Sequence, residues 1–226
     1  MKAKLICNLP ISSVARAVRM CTGTINEMDS EGDFLGPHDK KIISERILKQ
    51  GQEYNPMDPA HDSTLEHAVY TFELSCSRSS LQEISRHRIA SPSVESTRWA
   101  LKRILADAKQ EDIKNFITLT GDSDIDNNNI EQVWKIAKWC KEKPNDITKF
   151  ALPECFKTKI LLTINARSLR NWFILRTSKR ALWEFREVAY QMYNVLPESH
   201  KFMFEDVIHP DNRKAKVLER IKLNKE

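Results

Sequence analysis

The chain has 226 residues, of which 41% are hydrophobic and 30% charged, and carries a net charge of +5. That composition suits a globular fold with a substantial core and excludes a disordered or low-complexity chain. Five glycines and nine prolines argue against a linker-rich or repeat architecture, and the modest charge permits an anionic partner without demanding nucleic acid.

No run of about 18 apolar residues is present, nor an N-terminal basic-plus-apolar signal. A cytoplasmic protein with no membrane partner is therefore expected. Cys7, Cys21, Cys76, Cys140 and Cys155 are widely spaced and form no Cys-x-x-Cys pair. Neither a zinc site nor a disulfide framework is indicated, so reduced and mostly buried thiols are expected.

In chain order, Lys2 to Leu9 reads as an edge strand ending at Pro10. Ser12 or Ser13 caps a helix with Val14, Ala17, Val18 and Cys21 on one face. Gly32 and Gly36-Pro37 interrupt it. A second helix runs from about Asp39 to Gly51, and Asn55 to Pro59 is a loop. Ser63 and Glu66 have the capping-box form. From Ala68 to Ser75, Ala68, Tyr70, Phe72 and Leu74 alternate with Val69, Thr71, Glu73 and Ser75, which predicts a strand with one face in the core. Residues 79 to 85 read as helix, with Leu81 and Ile84 inward.

The segment Arg86 to Arg98 follows, with three arginines, one histidine, several hydroxyls and Pro92, and it reads as a loop. Asp107 to Asp126 is poorly patterned. Asn129 caps a helix bearing Ile130, Val133, Trp134, Ala137 and Cys140, which Pro144 ends. A further helical turn starts at Asp146 and stops before Pro153. Lys159 to Ile164 reads as a buried strand because its apolar run is continuous. Asn165 to Arg176 reads as helix. A last helix carries Ala181, Phe185, Val188, Ala189, Met192 and Val195, with Pro197 after it. The tail from about Asp211 is basic and expected to be exposed. These elements give an α+β class, a β-sheet flanked by helices.

Three stretches carry chemistry. Arg86, His87 and Arg88 with the hydroxyls after them offer planar donor forks and loop amides suited to phosphate or pyrophosphate, although a solvated, ion-paired loop reads the same way. Arg167 and Asn171 lie one helical turn apart, and Asn165 precedes them; asparagine both donates and accepts, which suits an amide-containing ring. A capping Asn165 on a solvated face is the plain alternative. His61, Ser63, Glu66 and His67 lack the spacing of a helical zinc pair, so no metal is assigned. Trp134, Trp139, Trp172 and Trp183 read as core or interface residues. No Gly-x-Gly-x-x-Gly and no P-loop occurs.

Together these stretches resemble the flavin-dependent thymidylate synthase family. Arg86-His87-Arg88 followed after seven residues by Ser96 has the form of that family's signature. His61-x-Ser63-x-x-Glu66-His67 precedes it, with Ser77-Arg78 between. Leu152-Pro153, Asn165-Ala166-Arg167, Leu175-Arg176 and Ala181-x-Trp183-Glu184 follow in the family's order. Residues 61 to 196 match best, within one expected domain over 1–226.

The resemblance implies synthesis of dTMP from dUMP, a methyltransferase reaction. It implies methylenetetrahydrofolate as one-carbon donor, NADPH as reductant and FAD as cofactor. It also implies a homotetramer with shared active sites, no nucleic-acid partner and no metal. It places His61, Ser63, Glu66, Arg86, His87, Arg88, Asn165, Arg167 and Asn171 at the flavin. It places Glu83, Arg86, Val94, Glu95, Ser96, Thr97, Arg98, Lys149 and Arg176 at dUMP. Arg176 would favour loss of the uracil N3 proton, the catalytic role. Ser96 is expected to contact ligand, not to act as a nucleophile.

The chain departs from the common family form at Ser93-Val94, where Asn-Glu is usual. Glu83, Lys149 and Trp99 stand where Gln, Arg and Tyr are frequent. Gln82-Glu83-x-Ser85 and Ser93-Val94-x-Ser96-Thr97-Arg98 resemble one branch of the family. A nucleic-acid-binding protein, suggested by the charge at 78 to 103, and an inactive relative that binds ligand only remain competing readings.

Overall fold

The computed structural model describes residues 1–45 and 62–210. His61, the helix expected beyond Glu45, the 55–59 loop and the tail from Asp211 lie outside the described residues.

Four strands, β1 (Lys2–Asn8), β2 (Val69–Ser77), β3 (Ala90–Val94) and β4 (Lys157–Asn165), form one sheet in the order β1-β2-β4-β3. β2 and β4 are antiparallel: Ala166 N–H donates to the Ala68 carbonyl, the Thr71 and Thr163 hydroxyls pair at 3.0 Å, and Arg78 N–H donates to the Phe156 carbonyl. The alternation in β2 is borne out, with Tyr70, Phe72 and Leu74 fully buried. β4 corrects the expectation of burial on both faces. Ile160, Leu162 and Ile164 are buried, but Leu161 is 44% exposed, so its apolar run covers one face only.

β3 corrects the expectation of a loop across 86–98. An edge strand needs ladder bonds on one side only, so Pro92, which lacks an N–H, is tolerated there. Its residues are almost all exposed, which is why no burial pattern marks the strand.

The helices are α1 (Ser12–Thr22), α2 (Pro37–Ile43), α3 (Arg78–Ile84), α4 (Thr97–Leu105), α5 (Ser123–Glu142), α6 (Asn145–Thr148), α7 (Ala166–Arg176), α8 (Trp183–Asn194) and α9 (Glu198–Lys201). Among the described residues no helix is long and apolar enough to cross a membrane. By its contacts the chain divides into two compact units.

The first unit comprises Met1–Lys2, Leu74–Arg86 and Pro92–Leu161. Leu101, Leu105, Ile113, Ile117, Val133, Ile136, Ala137, Cys140 and Phe156 form its core. α5 begins earlier than expected. Asp122, not Asn129, is the cap, its carboxylate accepting from Asp124 and Ile125 N–H at 3.1 Å. Asp126 ties down the preceding turn by accepting from Thr120 N–H, the Thr120 hydroxyl and Gly121 N–H. Burial alone would push its carboxyl up, but these bonds hold it below the usual range.

The second unit comprises the described parts of Ala3–Glu73, His87–Ser91 and Leu162–Glu226. The buried face of α1 is Val14, Ala15, Val18 and Arg19, one position round from the expected face, so Cys21 is exposed. Arg19 explains the shift: its Nε donates to buried Asp39 Oδ1 at 2.6 Å, clamping α1 to α2. Ser13 does not cap; its hydroxyl lies 2.7 Å from the Pro10 carbonyl and 2.9 Å from the His67 carbonyl. Gly36 is required before α2, because a Cβ there would fall 2.1 Å from the Asp29 side chain. Trp172 packs on Phe185, and Phe173 on Phe204, at ring separations of 5.9 and 5.4 Å.

Cys7 joins Cys21 at the surface, which corrects the expectation that the thiols are mostly buried; Cys76 and Cys140 are buried and Cys155 is half-buried.

Candidate active site

In the second unit the polar residues gather on α7. Asn165 is its N-cap, the side-chain oxygen accepting from Ser168 N–H at 2.9 Å. That cap uses the acceptor and leaves the amide N–H donors as what Asn165 can offer a ligand. Within the first turn, Arg167 is held by two carboxylates. Its Nε donates to Asp62 Oδ2 at 3.1 Å and its Nη1 to Glu66 Oε1 at 2.8 Å. The bond it donates to Glu66 is the main reason its guanidinium is pushed above the usual arginine value.

Asp62 and Glu66 belong to a 3-10 turn, Asp62–His67, so the short helical turn expected near Ser63 forms, with Ser63 inside it. Ser63 and Glu66 line a groove of about 650 Å³ with Ser13, Arg16, Met20 and His67. Asn171 is exposed on the same face as Arg167. Arg176 ends α7 half-buried, its guanidinium carbon 4.8 Å from the Phe185 ring centroid. His87 is half-buried with its ring 4.4 Å from that of Trp172, while Arg88 is exposed.

In the first unit the polar residues gather around β3 and α4. Glu83 lies 3.5 Å from exposed Arg86. Glu95 extends the pairing of β3, its N–H donating to the Lys159 carbonyl at 2.9 Å. Ser96 is the N-cap of α4, yet its hydroxyl makes no capping bond. Trp99 N–H already donates to the Ser96 carbonyl at 3.1 Å, so the amides this helix start presents to an anion are those of Thr97 and Arg98, with the helix dipole behind them.

Arg98 Nε pairs with Asp146 Oδ1 at 2.9 Å. Asn145 accepts from Lys102 N–H at 3.1 Å and donates to the Arg98 carbonyl at 3.0 Å, fixing α6 against α4. Arg98, Trp99, Lys102, Lys141, Lys143 and Asn145 line an open pocket of about 450 Å³. Lys149 Nζ sits 5.3 Å over Phe150. Val94, Trp99 and Phe150 are exposed, Trp99 by 79% and Phe150 by 84%.

Of the expected site residues, the structure thus brings Ser63, Glu66, His87, Arg88, Asn165, Arg167, Asn171 and Arg176 into one unit. It brings Glu83, Arg86, Val94, Glu95, Ser96, Thr97, Arg98 and Lys149 into the other. His61 lies outside the described residues. Sequence reasoning missed Asp62, Asp146 and Asn145, which hold the arginines and their helices. It also missed the open amides of α4, although Ser96-Thr97 ahead of Ala100, Leu101 and Leu105 is a helix-start signal. Among the described residues no cluster of three or more metal-ligating side chains occurs.

The sequence model of the family described as "Thymidylate synthase complementing protein" matches residues 4–200. The flavin-dependent thymidylate synthase of Campylobacter jejuni is 38% identical over 218 residues, 93% of this chain and 99% of the relative. That of Wolinella succinogenes is 34% identical, covering 90% of this chain and 97% of the relative. The crystal structure of thymidylate synthase X from Helicobacter pylori with FAD and dUMP superimposes with a TM-score of 0.81 at 31% identity, over 93% of this chain and all of that one. The chain therefore belongs to the flavin-dependent thymidylate synthase family.

Proposed function

We propose that this protein makes dTMP from dUMP as an FAD-dependent enzyme, with methylenetetrahydrofolate as the one-carbon donor and NADPH as the reductant. The observation that carries the reading is the pair of arginine clusters, one in each unit, on a chain similar to flavin-dependent thymidylate synthases along nearly its whole length. Because the family match runs through both units, residues 1–226 are read as one catalytic domain. The active enzyme is a cytoplasmic homotetramer with shared sites. The exposed Val94, Trp99 and Phe150 beside Arg98 and Lys149 support that assembly, since large apolar side chains around a charged site favour cover by another chain.

The donors of the second unit fit FAD. Arg167 is half exposed with two nitrogens tied to carboxylates and N–H groups to spare, and Asn165 and Asn171 add amides. Guanidinium forks suit the pyrophosphate and amides suit a flavin edge. His61, Ser63, Glu66, His87, Arg88, Asn165, Arg167 and Asn171 would hold it, together with Arg86 of the first unit, which the family resemblance also assigns to the flavin. Bound FAD would supply the redox chemistry that links the pyridine nucleotide to the uracil ring.

The chain's own residues do the rest. Arg98, Lys149 and the first-turn amides of α4 take the phosphate of dUMP. Glu83, Arg86, Val94, Glu95, Ser96 and Thr97 complete that site. Arg176, seated on Phe185, stabilises negative charge on the uracil as the N3 proton leaves, which activates the ring. Ser96 binds ligand through a hydroxyl that the helix cap leaves uncommitted.

Purified protein should be yellow and should oxidise NADPH faster when dUMP is added. A colourless protein that forms no dTMP when given FAD, dUMP, NADPH and methylenetetrahydrofolate would refute the reading. Steep, salt-dependent binding to single-stranded DNA or RNA without flavin would favour the nucleic-acid reading instead.

A further inference from the structure

The family match ends at residue 200, yet the chain that follows folds back along α7. Arg170 on α7 grips Asp206 with both terminal nitrogens, Nη1 to Oδ1 at 2.7 Å and Nη2 to Oδ2 at 2.6 Å, and Nη1 also donates to the Met203 carbonyl. This pair is largely shielded, its side chains 14% and 18% exposed. One turn further, His209 makes two contacts with the end of the helix. Its ring Nε2 lies 3.2 Å from the Ile174 carbonyl, and its backbone N–H donates to the Thr177 hydroxyl at 3.1 Å. Thr177 is fully buried and donates to the Phe173 carbonyl at 2.7 Å. Tyr190 of α8 secures the far end, its hydroxyl 2.9 Å from both the His209 and Pro210 carbonyls.

These contacts bracket Arg176: Ile174 precedes it and Thr177 follows it, and His209 touches both. The last carbonyls of a helix have no intrahelical partner, so the final turn is where a helix frays. The strap gives the Ile174 carbonyl a donor and locks the residue after Arg176. A guanidinium that must meet developing charge on a ring loses much of its effect when displaced by about 1 Å.

We infer that Met203–Pro210 is a positioning strap, and that His209, Thr177 and the Arg170–Asp206 pair act on the reaction through Arg176 without touching substrate. The inference rests on the catalytic role given to Arg176 above.

The test is steady-state dTMP formation by the FAD-loaded, full-length enzyme and its His209→Ala, His209→Gln, Thr177→Val, Arg176→Lys and His209→Ala/Arg176→Lys variants, with melting temperature and flavin content alongside. His209→Ala should lower kcat about tenfold with kcat/KM falling in parallel, while flavin content and melting temperature hold. His209→Gln, whose amide can still donate to the Ile174 carbonyl, should recover most of the loss. In the Arg176→Lys background, removing His209 should change kcat less than about twofold, because the group it positions is already altered. Thr177→Val should reproduce the His209→Ala defect if the alanine variant fails to fold. An undiminished His209→Ala enzyme, no recovery with glutamine, or the same tenfold loss in the Arg176→Lys background would overturn the strap while leaving the proposed function standing. A wild-type enzyme that forms no dTMP would overturn that function, and the inference with it.

Discussion

The two arginine clusters are built differently. On α7, Arg167 is locked by two carboxylates, Arg176 lies on an aromatic ring, and the helix is capped at one end and strapped at the other. Around β3 and α4 the charges are tied less: Arg98 has one carboxylate partner, Asp146, among the described residues, the two being 60% and 57% exposed against 47% for Arg167, and its guanidinium lies 5.6 Å over exposed Trp99. A preformed cluster loses little side-chain entropy on binding and suits a cofactor that stays bound. An open cluster must be ordered by its ligand and suits a substrate that comes and goes. The contrast is consistent with the proposed assignment of the α7 region to FAD and ring activation and of the α4 region to the nucleotide phosphate.

The sharpest way to break this contrast is Arg176→Ala. Removing a fixed charge-stabilising donor should lower kcat by about 10²–10³-fold, with flavin content and melting temperature unchanged, as steady-state kinetics and absorbance would show. Next comes Arg98→Ala. A bond to a charged group is worth about 1.5–3 kcal/mol, and this exposed site should fall at the lower end, weakening dUMP about tenfold by calorimetry without loss of flavin. Arg167→Ala should do the reverse, lowering FAD affinity about tenfold by fluorescence titration of the apoprotein while dUMP binding to the fully reconstituted enzyme changes little.

The smallest effect concerns the buried pair beside the strap. Tyr70 and His200 are both fully buried, with the tyrosine hydroxyl 2.8 Å from His200 Nδ1. Burial pushes the His200 imidazole below its ordinary value, and Asp33, 3.9 Å away, opposes this only in part. The unfolded chain therefore binds a proton, at an ordinary pKa of about 6.5, that the folded chain resists. Stability from neutral His200 is intact above that pH and is lost as pH falls toward the depressed folded value. A melting temperature that declines below about pH 6.5 in the wild type, and declines less in His200→Gln, is expected.

Much of the fold was legible in the sequence wherever one face is buried and the other is not. β2 alternates and is half-buried, α7 shows in its composition, and α8 in the spacing of its apolar face. The failures share a physical cause. β3 is an exposed edge strand, so no burial pattern records it, and Pro92 argued for a loop. The cap of α5 was misplaced because Asp122 competes with a run of asparagines that are each acceptable caps. At the site, the arginines were readable from their own chemistry and from the family resemblance. Their holders were not: Asp62 lies 105 residues from Arg167 along the chain, and only folding brings it there. The strap is likewise invisible to any local pattern, since Arg170 and Asp206 meet across 36 residues.

The division of labour between the two clusters is tested most directly by measuring bound flavin per chain in purified Arg98→Ala and Arg167→Ala, side by side with the wild type. A yellow Arg98→Ala protein with wild-type flavin content, beside an Arg167→Ala protein that has lost most of its flavin, is the predicted result. A colourless Arg98→Ala protein, or an Arg167→Ala protein that keeps its full flavin, would contradict it.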